Sequence, residues 1–318
     1  MFDRRALEDA AETVYRALGP TPQYRWPLLA ERCGAEVWVK HENHTPVGAF
    51  KVRGGLVFMA GLARRGGSSQ GLVTATRGNH GQSLAFAGRH HGIPVTIVVP
   101  HGNSREKNAA MRALGAEVVE AGRDFDAARE TAERLAAERG LTLAPSFHPD
   151  LVRGVATYAR ELFAAVPDLD AVYAPIGLGS GICGLIGVRD LLGLRTEIVG
   201  VVAARAPCYA RSLEAGRPVA TDRADTIADG MAVRVPDPEA LTVMRRGLAR
   251  VVTVEEEEIA AAMRHYWTDT HNLAEGAGAA PLAALLRERE RMRGRRVALV
   301  LSGGNVDLAL FARLLGQS

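Results

Sequence analysis

Lys51 stands in the segment HENHTPVGAFKVRGG, residues 41 to 55, among Gly48, Phe50, Arg53 and Gly54, where a helix begins. A lysine at a helix start is most often a surface charge. These neighbours point elsewhere, because a largely desolvated pocket lowers an amine's pKa, and an unprotonated amine can form a Schiff base. Three further segments carry chemistry. TRGNHGQ, residues 76 to 82, places unpaired backbone N–H groups at a helix N-terminus, a seat for a carboxylate or phosphate, and adds the side-chain amide of Asn79. Its alternative is a capped turn with His80 facing the core. PIGLGSG, residues 175 to 181, lets the backbone approach an anion at Gly177, Gly179 and Gly181, and Ser180 adds a hydroxyl to a phosphate-binding nest. Counted from Gly177 it falls short of a dinucleotide fingerprint, with Ile182 where the last glycine of that pattern would be, and no acidic residue follows EIVGVVA at the expected ribose position. LSGGN, residues 301 to 305, ends the last strand with Ser302.

These loops need elements to hold them. From Gly71 onward, short β-branched runs alternate with amphipathic ones: GLVTA and NHGQSLAFAGRHH, PVTIVVP and SREKNAAMRALG, AEVVEAG and FDAARETAERLAAERG. AVYAPI, EIVGVVA, RVVTV and VALVLS continue the rhythm after a helical segment, LVRGVATYARELFAAV, that contains no Pro/Gly/Ser linker. The pattern predicts right-handed crossovers and two largely parallel sheets covered on both faces, in closely packed domains with a cleft between them. Ligands of such sheets bind at the carboxyl ends of strands, where three of the four loops fall.

Composition narrows the class. The net charge of +3 over 318 residues, with 39 basic residues spread along the chain, favours a small-molecule partner over nucleic acid or a membrane. Cys33, Cys183 and Cys208 cannot all pair and show no C-x-x-C spacing, which suits reduced thiols in a cytoplasmic protein. MFDRRALEDA is too charged for a signal peptide, and Pro175 and the glycines between Ala171 and Val188 argue against a membrane span. The acidic run Glu255 to Glu258 reads as a helix start with Thr253 in a T-x-x-E capping box, and RERERMRGRR as a solvated helix face and turn. His41 with His44, and His90 with His91, lack a third ligand at a recognisable spacing, so no metal site is expected.

GAFKVRGG, TRGNHGQ, GLGSG and SGGNVD together resemble the motifs of fold-type II pyridoxal-phosphate enzymes, the tryptophan synthase β-like group, and specifically the threonine and serine dehydratases and serine racemases. The resemblance runs from about Pro20 to the C-terminus and keeps motif order and spacing. It implies an α/β fold of two open, mostly parallel sheets with the active site in the interdomain cleft. A small domain, 47–148, would be inserted in a large cofactor-binding domain, 1–46 and 149–318. It further implies pyridoxal 5'-phosphate bound to Lys51, with Phe50 packing on its ring and Asn79 bonding the 3'-oxygen. Gly177, Leu178, Gly179, Ser180 and Gly181 would hold the phosphate, and Ser302 would face the pyridine nitrogen. Thr76, Arg77, Gly78, His80 and Gln82 lie in the loop that receives the substrate carboxylate. Asp229-Gly230 and Glu275 to Gly278 are similar to further family segments near the cofactor.

The implied reaction is β-elimination: a 3-hydroxy amino acid such as threonine, serine, 3-hydroxyaspartate or 3-phenylserine yields a 2-oxo acid and ammonia, with Lys51 as the base. Three departures bear on it. Arg77 replaces a serine that acts as acid/base in the racemases, which disfavours the rival racemase reading. Val202 occupies the usual position of a metal-binding glutamate, so that metal is not expected here. The chain also ends soon after SGGN, with no effector domain expected. Related enzymes are commonly dimers or tetramers, and a homodimer or homotetramer is expected. A non-catalytic cofactor-binding protein is the alternative from another class, against which the joint presence of Lys51, Asn79 and Ser302 argues.

Overall fold

Ten strands form among the described residues (1–66, 70–123 and 125–316) of the computed structural model: β1 (Gln23–Arg25), β2 (Glu36–His41), β3 (Leu72–Ala75), β4 (Val95–Val99), β5 (Glu117–Glu120), β6 (Thr142–Leu143), β7 (Ala171–Pro175), β8 (Glu197–Ala203), β9 (Arg250–Val254) and β10 (Arg296–Leu301). They make one sheet of order β1-β2-β10-β7-β8-β9 and another of order β5-β4-β3-β6. Every pairing is parallel except that of β1 with β2. The central strands are apolar without alternation, as parallel strands covered on both faces must be: β4 is buried at every residue and β8 at all but Glu197.

The chain divides into two compact units, one made of Met1–Asp3, Pro20–Phe50 and Tyr158 onward, the other of Arg4–Gly19 and Lys51–Thr157. In the first, the six-stranded sheet packs on the helix Gly276–Arg287, which is buried from Gly276 through Leu285 because it is apolar all round. In the second, Val73, Ala75 and Val98 pack on Ala128, Ala132 and Leu135 of the helix Phe125–Arg139.

The helix Lys51–Arg64 lies inside the second unit, buried continuously from Val52 to Leu62. Glycines let its neighbours reach its backbone. A Cβ on Gly54 would stand 2.8 Å from the Leu151 carbonyl, one on Gly154 2.2 Å from the Arg53 carbonyl, and one on Gly55 2.3 Å from Ser83 Oγ. The glycine pair of KVRGG is therefore a packing device that seats the helix headed by Lys51.

Two local expectations need correction. The capping box is formed by Glu255 and Glu258, whose side chains bond each other's backbone amides, while Thr253 belongs to β9. A capping residue must directly precede the first helical residue, here Glu256, and Thr253 is still in the β9 ladder with Val202. LSGGN, which as a lone motif reads as a turn and helix start, is followed by no helix until Leu308, since the Gly304 amide bonds the Gly48 carbonyl and the segment runs along the chain ahead of Lys51.

Gly154→Ala and Gly55→Ala should each destabilise the protein by about 1–3 kcal/mol, because backbone must shift to admit a methyl group. Gly19→Ala, with nothing within 4 Å of the new carbon, should change little. Urea unfolding midpoints of the three variants check this.

Candidate active site

The chain leaves β7 at Pro175, turns through Ile176 to Gly179 and enters the helix Ser180–Leu191. Gly179 has φ 109°, a conformation that side chains rarely tolerate. Among the described residues the amides of Gly177, Leu178 and Gly179 meet no acceptor, and no side chain caps the helix that follows. Its first-turn amides are unpaired by helix geometry. The result is a run of N–H donors at the positive end of a helix, which suits a phosphate. The wall behind is tight: a Cβ on Gly177 would stand 2.2 Å from the Gly230 carbonyl, so the Asp229-Gly230 segment abuts this loop.

Beside the loop a small cavity is lined by Phe50, Tyr158, Ala174, Pro175, Gly181, Val300 and Ser302. Ser302 directly follows β10 and is 3% exposed, and among the described residues its hydroxyl has no partner. The Phe50 amide donates to the Ser302 carbonyl at 3.0 Å and Ala49 bridges to Gly303, so the residues before Lys51 are tied to the end of β10. A Cβ on Gly181 would come within 3.3 Å of the Phe50 ring. Glu275, 7% exposed, is held through its amide by the Gly303 carbonyl at 3.1 Å. An amide cradle, an apolar slot faced by an aromatic ring and a hydroxyl unpartnered among the described residues fit a phosphorylated heteroaromatic group.

In the other unit Lys51 is the first residue of its helix and half-buried. The chain holds three lysines among its 39 basic residues, Lys40, Lys51 and Lys107, and none is exposed. Lys40 is occupied by Glu161 at 2.6 Å and by the Thr21 carbonyl at 2.7 Å. Lys107 lays its stem on the TRGNHGQ loop, its Cδ 2.9 Å from where a Gly78 Cβ would be. Of the three, Lys51 is the one whose own position lies within a chemical motif, GAFKVRGG.

The TRGNHGQ loop is organised by Thr76, whose Oγ1 accepts the Gly78 amide at 3.2 Å. Asn79, half-buried, opens the helix Asn79–His91, and Gln82 is buried one turn on. Ser83 Oγ donates to the Lys51 carbonyl at 2.6 Å, and His80, three residues earlier, shares that face. His80 Nε2 is out of solvent reach with no hydrogen-bond partner among the described residues. Burial, reinforced by the charge of Lys51, pushes its pKa down to about 3, so the imidazole is neutral near pH 7. Arg77 is exposed and has no hydrogen bond or ion pair among the described residues. The sequence motifs did not flag Ser83, Tyr158 or Tyr209. Tyr158 donates to the Gly181 carbonyl and Tyr209 to the Leu178 carbonyl, each at 2.9 Å.

Val202 is buried in β8, and among the described residues no group of three or more His, Cys, Asp or Glu could hold a metal ion. No described helix is long and apolar enough to cross a membrane.

With this architecture and these motifs the chain belongs to the pyridoxal-phosphate dependent enzymes, whose family model matches residues 14–303. It is 39% identical over 309 residues to the L-threonine ammonia-lyase of Geobacter sulfurreducens, covering 97% of this chain and 77% of that protein. It is 30% identical over 308 residues to the L-threo-3-hydroxyaspartate ammonia-lyase of Saccharomyces cerevisiae, covering 96% and 94%. The processed form of threonine deaminase isoform 2 from Solanum lycopersicum superimposes with a TM-score of 0.92 at 29% identity, covering 99% of this chain and 92% of that one. The expected family, its two mostly parallel sheets and its cofactor are thereby borne out.

The depressed His80 pKa carries a stability consequence. The unfolded chain, with an imidazole near the ordinary 6.5, binds more protons than the folded one, so this contribution is intact above pH 6.5 and is lost as pH falls toward 3. At pH 5 the loss is roughly 2 kcal/mol. His80→Gln should remove it, and urea unfolding of native and variant protein at pH 7.5 and pH 5 checks the difference.

Proposed function

We propose that the chain is an ammonia-lyase that converts a 3-hydroxy amino acid, such as threonine, serine, 3-hydroxyaspartate or 3-phenylserine, to a 2-oxo acid and ammonia. The observation that carries this reading is the unpaired amide loop 177–181 beside the unpartnered Ser302 hydroxyl. Bound pyridoxal phosphate supplies an electron sink for negative charge at the substrate Cα. Lys51 would hold the cofactor and, once free, its amine would take the Cα proton. Asn79 would bond the ring oxygen, Phe50 would pack on the ring, and Gly177, Leu178, Gly179, Ser180 and Gly181 would hold the phosphate. Ser302, a neutral hydroxyl, does not enforce protonation of the ring nitrogen as a carboxylate would, which favours elimination over a long-lived carbanion. Thr76, Gly78, His80 and Gln82 shape the seat of the substrate carboxylate, which first-turn amides bind. The β-hydroxyl leaves as water, the enamine product becomes an imine, and its hydrolysis takes up one water and frees ammonia.

Arg77 supports a lyase over a racemase. A guanidinium is not deprotonated in proteins, so it cannot exchange a proton with Cα from the second face. Its exposed, unpaired head suits a carboxylate or an aromatic ring on the β-carbon of the substrate. The two ammonia-lyase relatives are named for threonine and for 3-hydroxyaspartate.

Lys51→Ala should reduce release of 2-oxo acid by a factor on the order of 10³ or more. Arg77→Ala should lower kcat/KM for the charged or aromatic substrates by roughly tenfold or more relative to threonine and serine. Ammonia release measured with all four amino acids tests both statements. Equal losses on all four remove the specificity role, and no ammonia from any of them removes the lyase assignment.

A further inference from the structure

The peptide linking Leu178 to Gly179 is held by one side chain. Tyr209, 1% exposed, donates its hydroxyl proton to the Leu178 carbonyl at 2.9 Å. The same oxygen accepts the Asp237 amide at 2.9 Å, which directs its proton to Leu178. In a trans peptide the C=O of one residue and the N–H of the next point in opposite directions. Tying the Leu178 carbonyl to Tyr209 therefore turns the Gly179 amide away from Tyr209. The helix Pro238–Gly247 closes on Gly179 from the same side as Tyr209: a Cβ there would stand 2.7 Å from Met244 Cε, 2.8 Å from Ala240 Cβ and 3.7 Å from the Tyr209 hydroxyl. Burial pushes the Tyr209 phenol up, so it stays protonated and able to donate. Tyr158, also 1% exposed, takes hold of the loop at the Gly181 carbonyl, from the cavity side.

We propose that Tyr209 is a positioning residue for the cofactor phosphate, fixing the Gly179 amide as a phosphate donor through the Leu178 carbonyl, with Tyr158 bracing the far end of the same loop. This rests on residues 177–181 being the phosphate cradle. The hydroxyl touches neither substrate nor cofactor; it acts by denying the loop peptide its flipped orientation, in which a carbonyl would face the anion. Its effect should then follow the phosphate and not the pyridine ring.

The test compares two ligands differing only in that group, by spectroscopic titration of cofactor-stripped native protein and of Tyr209→Phe with pyridoxal 5'-phosphate and with pyridoxal. Loss of one hydrogen bond that orients a charged contact should weaken pyridoxal 5'-phosphate binding by about tenfold and leave pyridoxal unchanged. Inorganic phosphate should compete correspondingly less well against the variant. Equal weakening of both ligands, or weakening of neither, overturns the positioning role. A native protein that does not prefer the phosphorylated ligand overturns the phosphate cradle itself. A second measurement needs no variant: inorganic phosphate should slow hydrogen exchange at the Gly179 amide of the stripped native protein, and unchanged exchange there contradicts the proposal.

Discussion

A helix cannot satisfy the N–H groups of its own first turn, and at the start of the helix Ser180–Leu191 no other described part of the protein does so either. Unpaired donors away from water are costly unless something meets them, and an anion at a helix N-terminus does so with the help of the dipole. Much of the first unit serves that arrangement. β7 delivers the loop at its carboxyl end, Gly179 takes a positive φ, Gly177 clears the Gly230 carbonyl, and β10 ends alongside with Ser302. The cavity between them has an aromatic wall and a hydroxyl.

The amine faces a different constraint. Lysine is rarely buried without a partner, and this chain keeps only three, using arginine at its other 36 basic positions. Lys51 begins a helix whose backbone is gripped at Gly54 from the Leu151 side and at Gly55 from the Ser83 side. Ser83 bonds the carbonyl of Lys51 itself. A neutral His80 on the same face adds no competing positive charge near pH 7. The placement of Lys51 is thus set by glycine packing several residues downstream as well as by the residues beside it.

Local punctuation made the parallel sheets legible in the sequence. Strand, glycine-rich turn and helix follow one another within a few residues at TRGNHGQ and PIGLGSG, so the loops could be placed at strand ends before any tertiary contact was known. Phe50 and Ser302, which line one cavity, and Lys51, which opens its helix, could be singled out because the motifs holding them occur together in one order. The tyrosines that bond the carbonyls of Leu178 and Gly181 were not. Tyr209 lies 31 residues beyond Leu178 in sequence, and nothing around ARAPCYARSLEAG marks a hydroxyl that will return to a loop carbonyl. The Glu255–Glu258 capping box was misassigned to Thr253 because strand pairing, a long-range matter, decides where β9 stops. β1, three residues long, and β6, two residues long, are too short to carry a periodicity and exist only through their partners.

The account stands on Lys51 being the amine that holds the cofactor, and the scarcity of lysine makes that directly measurable. Borohydride reduction of the cofactor-loaded protein, followed by proteolysis and mass spectrometry, asks which of Lys40, Lys51 and Lys107 carries the pyridoxyl mass. The account predicts stoichiometric label on Lys51 alone. Label on Lys40 or Lys107, or none on Lys51, would contradict it.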